Sequence, residues 1–395
     1  MVRWWINTII LCICVFFINY IIPSDLNNWS PQLNFSPTAI LNSSLLEADT
    51  QSRLIEAEFG RRPLMVNLLK YGNEWTDISQ TLLFCIYQAI GYLLVCYLLQ
   101  KIAWHIDPAS SWGATILPYA LLFPSIFLFV AHAHTYDDLF QYAAILAFLY
   151  YGLKRMPFPA VVLLCIACII RETSVLFLPV YVALFWSKTT LRNYALLLLA
   201  IAALVIACTT VYIYAGPELI AESYAINTGG RWMNWQVNFA DYAAASEVIW
   251  LTLFILGPSA FIVIRNWPAL HAQKFSSVLI YCYLYLIASN TVLVYLTAYA
   301  REARLLLLPN LVVFSLLAPY WRQYVRVARQ RYQKVNVNLP LAALLVVMVP
   351  LSYIPSVGGT GYFYRFYALL WTIAMIIMYK TAKLAKRDYR AERDG

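Results

Sequence analysis

Apolar runs of membrane length recur along the chain, and polar residues gather in short islands between them. The runs predict helices at Trp4–Ile22, Gln80–Gln100, Ala114–Val130, Leu139–Leu153, Phe158–Ile170, Ser174–Trp186, Asn193–Tyr214, Val248–Ile264, Ser276–Tyr299, Leu305–Tyr320, Leu339–Ile354 and Tyr367–Tyr379. The longer of these suit a ~30 Å hydrocarbon core, and their continuity differs from the short alternating strands of a membrane barrel. Phe158–Ile170 and Ser174–Trp186 flank Arg171-Glu172-Thr173. They read as two short segments meeting at a polar outer vestibule, not as one long helix, because Lys188 and Arg192 then fall inside. The pattern therefore predicts an all-α polytopic membrane protein with about twelve transmembrane or re-entrant helices. Residues 23–79 form a long first extracytoplasmic loop. Within it, 39–59 predicts an amphipathic helix, with Ile40, Leu41, Leu45, Leu46, Leu54 and Ile55 for an apolar face and Asp49, Arg53 and Glu56 opposite.

Composition agrees with the pattern. The chain is 62% hydrophobic and 12% charged, where a soluble domain carries about 25% charge. The net charge of +9 sits mostly in loops that the positive-inside bias assigns to the cytoplasm, led by Lys101, Lys154, Lys188, Arg265 and Arg322, with the tail after Lys380. It gives no reason to expect nucleic acid. Arg3 sets the N-terminus inside, and Trp4–Ile22 is too long for a signal-peptide core, so it reads as a retained helix. Both termini are expected in the cytoplasm, in the plasma (bacterial inner) membrane. All eight cysteines fall in apolar runs. Cys165-x-x-Cys168 lacks a redox fold around it and reads as packing.

On this topology the polar islands share the outer side: residues 131–138, Arg171-Glu172, Arg231 and Arg301-Glu302-Ala303-Arg304. Ionisable groups at the ends of membrane helices are costly and usually functional. Asp137-Asp138 has three roles open to it: holding a divalent cation such as Mg or Mn, orienting a sugar hydroxyl, or accepting a proton. Acids at a helix start also simply suit the dipole. His132 and His134 lie two apart, which suits no metal face on a helix or a strand. Arg171-Glu172 and Arg301-Glu302 read either as internal ion pairs or as an anion site, since arginine forks bind phosphate oxygens bidentately. With Arg231 and Arg304 they would suit a diphosphate. Phosphate loops and nucleophile elbows are missing from the sequence.

The order of a first helix, a long outer loop with an amphipathic helix, and an acidic cluster in the second outer loop resembles the GT-C superfamily. The residues that carry the resemblance are Glu58-Phe59-Gly60-Arg61-Arg62-Pro63-Leu64, Tyr136-Asp137-Asp138 and Arg171-Glu172. It spans residues 1–215 as a shared transmembrane module and leaves 216–395 as a variable C-terminal module. The resemblance implies an inverting glycosyltransferase that moves a sugar from a polyprenyl-phosphate or polyprenyl-diphosphate donor to a glycan or lipid acceptor on the extracytoplasmic face. It implies a general base in the first outer loop, with Asp49 the first choice, Glu56 the second, and Asp25 also eligible. Asp137 and Asp138 would be catalytic, directly or through a cation. Arg61, Arg62, His134, Tyr136, Arg171, Glu172, Arg231, Arg301, Glu302 and Arg304 would bind substrate. Replacing Asp137 or Asp138 by Asn keeps volume, so folding is expected to survive while turnover falls. Two rivals stand beside this reading. One is an O-antigen-type polysaccharide polymerase, which also works outside on lipid-linked sugars. The other is a lipid-linked-sugar flippase or transporter, for which charges at mid-membrane and interrupted helices in matching halves are expected.

Overall fold

The computed structural model describes residues 4–11, 13, 63–108, 138–185, 196, 199–200, 234–272, 274–297, 306–314, 316–317 and 320. Among these every regular element is helical and none is a strand. Two stretches, Leu82–Ile106 and Ser276–Leu296, are long and apolar enough to cross a membrane. The predicted helices at 114–130, 339–354 and 367–379, the amphipathic helix at 39–59, and nearly all of 193–214 lie outside the described residues, so the count of twelve stays an expectation.

The first loop supplies a helix that periodicity did not predict, α1 (Pro63–Thr76). It packs on α2 (Gln80–Ile106) through a close approach at Gly72, where a Cβ would come 2.9 Å from the Tyr87 hydroxyl. That hydroxyl donates to the Leu68 carbonyl at 3.1 Å. Ser79 caps α2 by accepting from the Leu82 amide at 3.3 Å. α2 runs beyond the expected end at Gln100, because Lys101 does not stop a helix. Its ammonium lies 5.3 Å from the centre of the Tyr97 ring. The N-terminal helical turn meets α2 at the same level: Trp5 stacks on Tyr97, and Trp4 Nε1 donates to Gln100 Oε1 at 3.3 Å.

α3 (Asp138–Leu153) is the centre of the bundle, touched by α2, by α4 (Pro157–Ile170), by α5 (Leu178–Phe185) and by α10 (Leu308–Val313). Apart from Asp138 and Gln141 it is apolar all round, as suits a helix surrounded by others. α2 and α3 run parallel: Tyr87 meets Phe140 near one end, and His105 meets Tyr150 near the other. The turn between α3 and α4 is a Schellman motif. The Met156 amide donates to the Tyr151 carbonyl and the Arg155 amide to the Gly152 carbonyl, both at 3.0 Å. Arg155 takes the left-handed position, φ 58°, that glycine normally fills. Its guanidinium Nη1 donates to the Leu184 carbonyl, an orphan acceptor in the last turn of α5. Arg155→Ala keeps the backbone strain and loses that tether, whereas Arg155→Gly loses the tether and relieves the strain. Thermal unfolding in detergent should therefore find the Gly variant more stable than the Ala variant by about 1 kcal/mol.

Residues 157–185 form a hairpin broken at its tip. α4 leaves the Arg155 turn and ends at Arg171, whose backbone is extended (φ −154°, ψ 126°). A 3-10 turn, Glu172–Phe177, leads into α5, which returns to the base. There Leu184 packs so close to α3 that a Cβ on Gly152 would meet it at 2.8 Å. The two short segments expected from the sequence are thus the two arms of a helical hairpin.

The C-terminal described part is a second hairpin, α7 (Tyr242–Arg265) and α9 (Lys274–Thr297), preceded by the short α6 (Asn234–Asn238) and joined by α8 (Trp267–His271). α7 starts six residues before the expected Val248, because Asp241 caps it by accepting from the Ala244 amide at 2.7 Å. α10, expected as one run from Leu305 to Tyr320, spans only Leu308–Val313 and is followed by turns at 314 and 316–317.

Candidate functional site

The hairpin tip carries the charge. Asp138 opens α3 and Arg171 closes α4, and the Arg171 Nη1 forms an ion pair with Asp138 Oδ1. Asp138 is 1% exposed and Arg171 4%. Around them the neutral polar groups are bonded too. Gln141 Nε2 donates to Thr173 Oγ1 at 2.9 Å and to Ser174 Oγ at 2.8 Å. Ser174 Oγ donates in turn to the Ala167 carbonyl at 3.0 Å, near the end of α4. The 3-10 turn fits this arrangement, since it brings Thr173 and Ser174 back over the end of α4 where an α-helix would carry them past it.

A buried pair of this kind contributes little net stability, but either charge left alone would be costly. It is also electrically neutral. An incoming phosphate would meet the Arg171 fork beside the Asp138 carboxylate, so net attraction for an anion must come from other cations. The pair's direct effect is to hold a planar guanidinium in one orientation at a break in the helical backbone.

Asp138 and Arg171, which belong to two different polar islands of the sequence, meet here. The sequence left open an ion pair for Arg171 within its own Arg-Glu unit; in the structure Asp138, from another helix, pairs with it. Asp138 is both the acid of a helix start and a member of that pair, so the two readings of it are compatible. The backbone of Glu172 begins the 3-10 turn. Asp49, Glu56, Arg61, Arg62, His134, Tyr136, Asp137, Arg231, Arg301, Glu302 and Arg304 lie outside the described residues. Among the described residues no three His, Cys, Asp or Glu side chains are grouped to hold a metal ion. Asp137, the other carboxylate of the expected cation site, is not among them.

Sequence reasoning passed over Gln141, Thr173 and Ser174 because it ranked residues by charge. The usable signal was there: an uncharged amide on an otherwise apolar helix needs a partner just as a charge does. The same signal marks a second polar cluster. Tyr283 hydroxyl and Ser259 Oγ are 2.7 Å apart, Ser259 Oγ donates to Asn310 Oδ1 at 2.5 Å, and Asn310 Nδ2 donates to the Ile255 carbonyl at 2.8 Å. These residues join α7, α9 and α10, and Ser259 and Asn310 are completely buried.

Comparisons with family models, with curated proteins and with solved structures found no match to the chain.

Proposed function

We propose that the protein is a membrane glycosyltransferase of GT-C type, moving a sugar from a polyprenyl-linked donor to a glycan or lipid acceptor at the extracytoplasmic face of the bacterial plasma membrane. The observation that carries the reading is the buried Asp138–Arg171 pair at the tip of the helical hairpin. Each arm is short. α4 has 14 residues, about 21 Å of helix against a ~30 Å hydrocarbon core, so a tip rising from the inner side ends below the outer surface. Non-helical backbone and charge at that depth are tolerated where protein buries them or where they line a watery cavity. A donor whose lipid tail stays in the bilayer needs a polar cavity at that depth for its head group.

In this reading an acid of the first outer loop, Asp49 ahead of Glu56, deprotonates the acceptor. The leaving phosphate is stabilised by Arg231, Arg301 and Arg304, with Arg171 oriented by Asp138, and by a divalent cation if Asp137 holds one. Arg61, Arg62, His134, Tyr136, Glu172 and Glu302 line the head-group path. The broken helix also favours a second reading, a lipid-linked-sugar transporter, because interrupted helices build transporter sites.

One assay separates them. Purified protein is given a pool of polyprenyl phosphosugars and an acceptor glycan, and free lipid phosphate is followed with and without EDTA. Release is expected, and Asp49→Asn should slow it by about 10²–10⁴-fold. A transporter releases none. Release that persists in EDTA leaves the arginines as the sole stabilisers of the leaving group.

A further inference from the structure

α2 turns a buried stripe into the bundle: Gln88, Tyr92, Val95, Cys96, Leu99 and Ile102. The helix carries two buried amides, Gln88 and, at the far end, Gln100, whose oxygen accepts from Trp4. The Gln88 side chain is 1% exposed, and neither its Nε2 nor its Oε1 has a hydrogen-bond partner among the described residues. Neighbours on α2 fix its height. The Tyr87 ring centre is 6.5 Å from that of Phe140. One turn further on, a Cβ on Gly91 would meet Leu139 Cβ at 2.8 Å. Gln88 therefore sits at the level where α3 begins with Asp138, the partner of Arg171.

A buried carboxamide left without a partner weakens a fold. A ligand that enters the bundle at the hairpin tip would satisfy it. We propose that Gln88 binds the sugar of the donor, Oε1 accepting from one hydroxyl and Nε2 donating to a neighbouring oxygen. This rests on the glycosyltransferase reading and extends it from the phosphate to the sugar. The two orphan atoms make the distinction. An ionised phosphate offers acceptors only, so it could serve Nε2 while setting its own oxygens against Oε1. Adjacent sugar hydroxyls, or a hydroxyl beside an acetamido group, offer donor and acceptor together. Arginine forks suit the phosphate end, so the two ends of one head group would be recognised by different chemistry.

The test is Gln88→Leu, with Gln88→Met as a second variant of similar volume, in lipid nanodiscs. Three quantities are measured: the melting temperature without ligand, the affinity for polyprenyl phosphosugars, and the affinity for the same polyprenyl phosphate without sugar. Removing an orphan amide should raise the ligand-free melting temperature by about 2–4 °C. Affinity for the sugar-bearing lipid should fall by about 10–100-fold, because sugar hydroxyls then lose their partner. Affinity for the sugar-free lipid should not change. A lower melting temperature in both variants overturns the proposal, because the amide would then be bonded in the free protein. Unchanged affinity for the sugar-bearing lipid, or an equal loss for both lipids, overturns it as well. Wild-type protein that binds neither lipid removes the glycosyltransferase reading itself, and this inference with it.

Discussion

Arg171→Met is expected to cost about 3–5 kcal/mol of stability, and most of that loss should return when Asp138→Asn is added in the same chain. The reason is burial. An exposed ion pair contributes at most about 1 kcal/mol, but here Asp138 and Arg171 are both nearly sealed from solvent. Removing the guanidinium leaves a carboxylate in an apolar bundle, and removing the carboxylate leaves a cation there. Removing both leaves two neutral side chains at the end of α3 and α4. Unfolding in SDS, followed by circular dichroism, measures all three variants. If Arg171→Met loses less than about 1 kcal/mol, the pair is solvated and the hairpin tip is not the dry site described above. The structure also separates the two acids of Asp137-Asp138. The sequence suggested that either could become Asn with the fold intact. For Asp138 that expectation now changes, because its neutralisation takes the buried carboxylate away from Arg171. The stabilised double variant should fold and still fail to release lipid phosphate. Arg171→Lys should fold better than Arg171→Met and yet not restore release, since a point charge cannot replace a planar fork.

Asn310→Leu is expected to cost about 2–3 kcal/mol, the second largest effect, because it strips two hydrogen bonds from an enclosed network at up to about 1–1.7 kcal/mol each. Ser259 loses its acceptor and the Ile255 carbonyl loses its donor. Tyr283→Phe removes only the partner at the far end, leaving the bond from Ser259 to Asn310 intact, so it should cost about 0.5–1.5 kcal/mol. A double-mutant cycle between Ser259→Ala and Asn310→Leu should show positive coupling, since each substitution takes away the same bond. Additive losses would mean that the bond from Ser259 to Asn310 contributes nothing, leaving the Ile255 contact and packing to hold α7 to α10.

Much of the architecture was legible because helical burial is a local property. Runs such as Leu139–Leu153 and Ser276–Tyr299 are apolar on all sides, and such a segment forms a helix whatever surrounds it. The break at Arg171 was legible for the same reason, since an Arg-Glu pair interrupts two runs that are each too short to span alone. Boundaries were less so. α7 begins at Tyr242 because Asp241 caps it, and α2 continues past Lys101 because a flexible charged side chain can lie over Tyr97 without ending the helix. α1 was hidden in a stretch read as polar loop, and only its packing at Gly72 on Tyr87 explains why a helix of mixed polarity is held there.

The sequence by itself determined that the described residues are helical, that Leu82–Ile106 and Ser276–Leu296 among them are long and apolar enough to cross a membrane, and which positions carry charge between the apolar runs. Those follow from composition and period, which act over a few neighbouring residues. Only the tertiary structure decided which charges meet. Asp138 and Arg171 stand in separate islands, and nothing local says that they pair. The pairing is made by the parallel packing of α2 with α3 and by the return of α5 to the Arg155 turn, which fix the heights of these groups together. The same packing leaves the Gln88 amide beside the start of α3 and encloses Ser259, Tyr283 and Asn310. A neutral amide gives a sequence pattern little weight, while in a dry interior its hydrogen bonds, made or missing, matter as much as a charge.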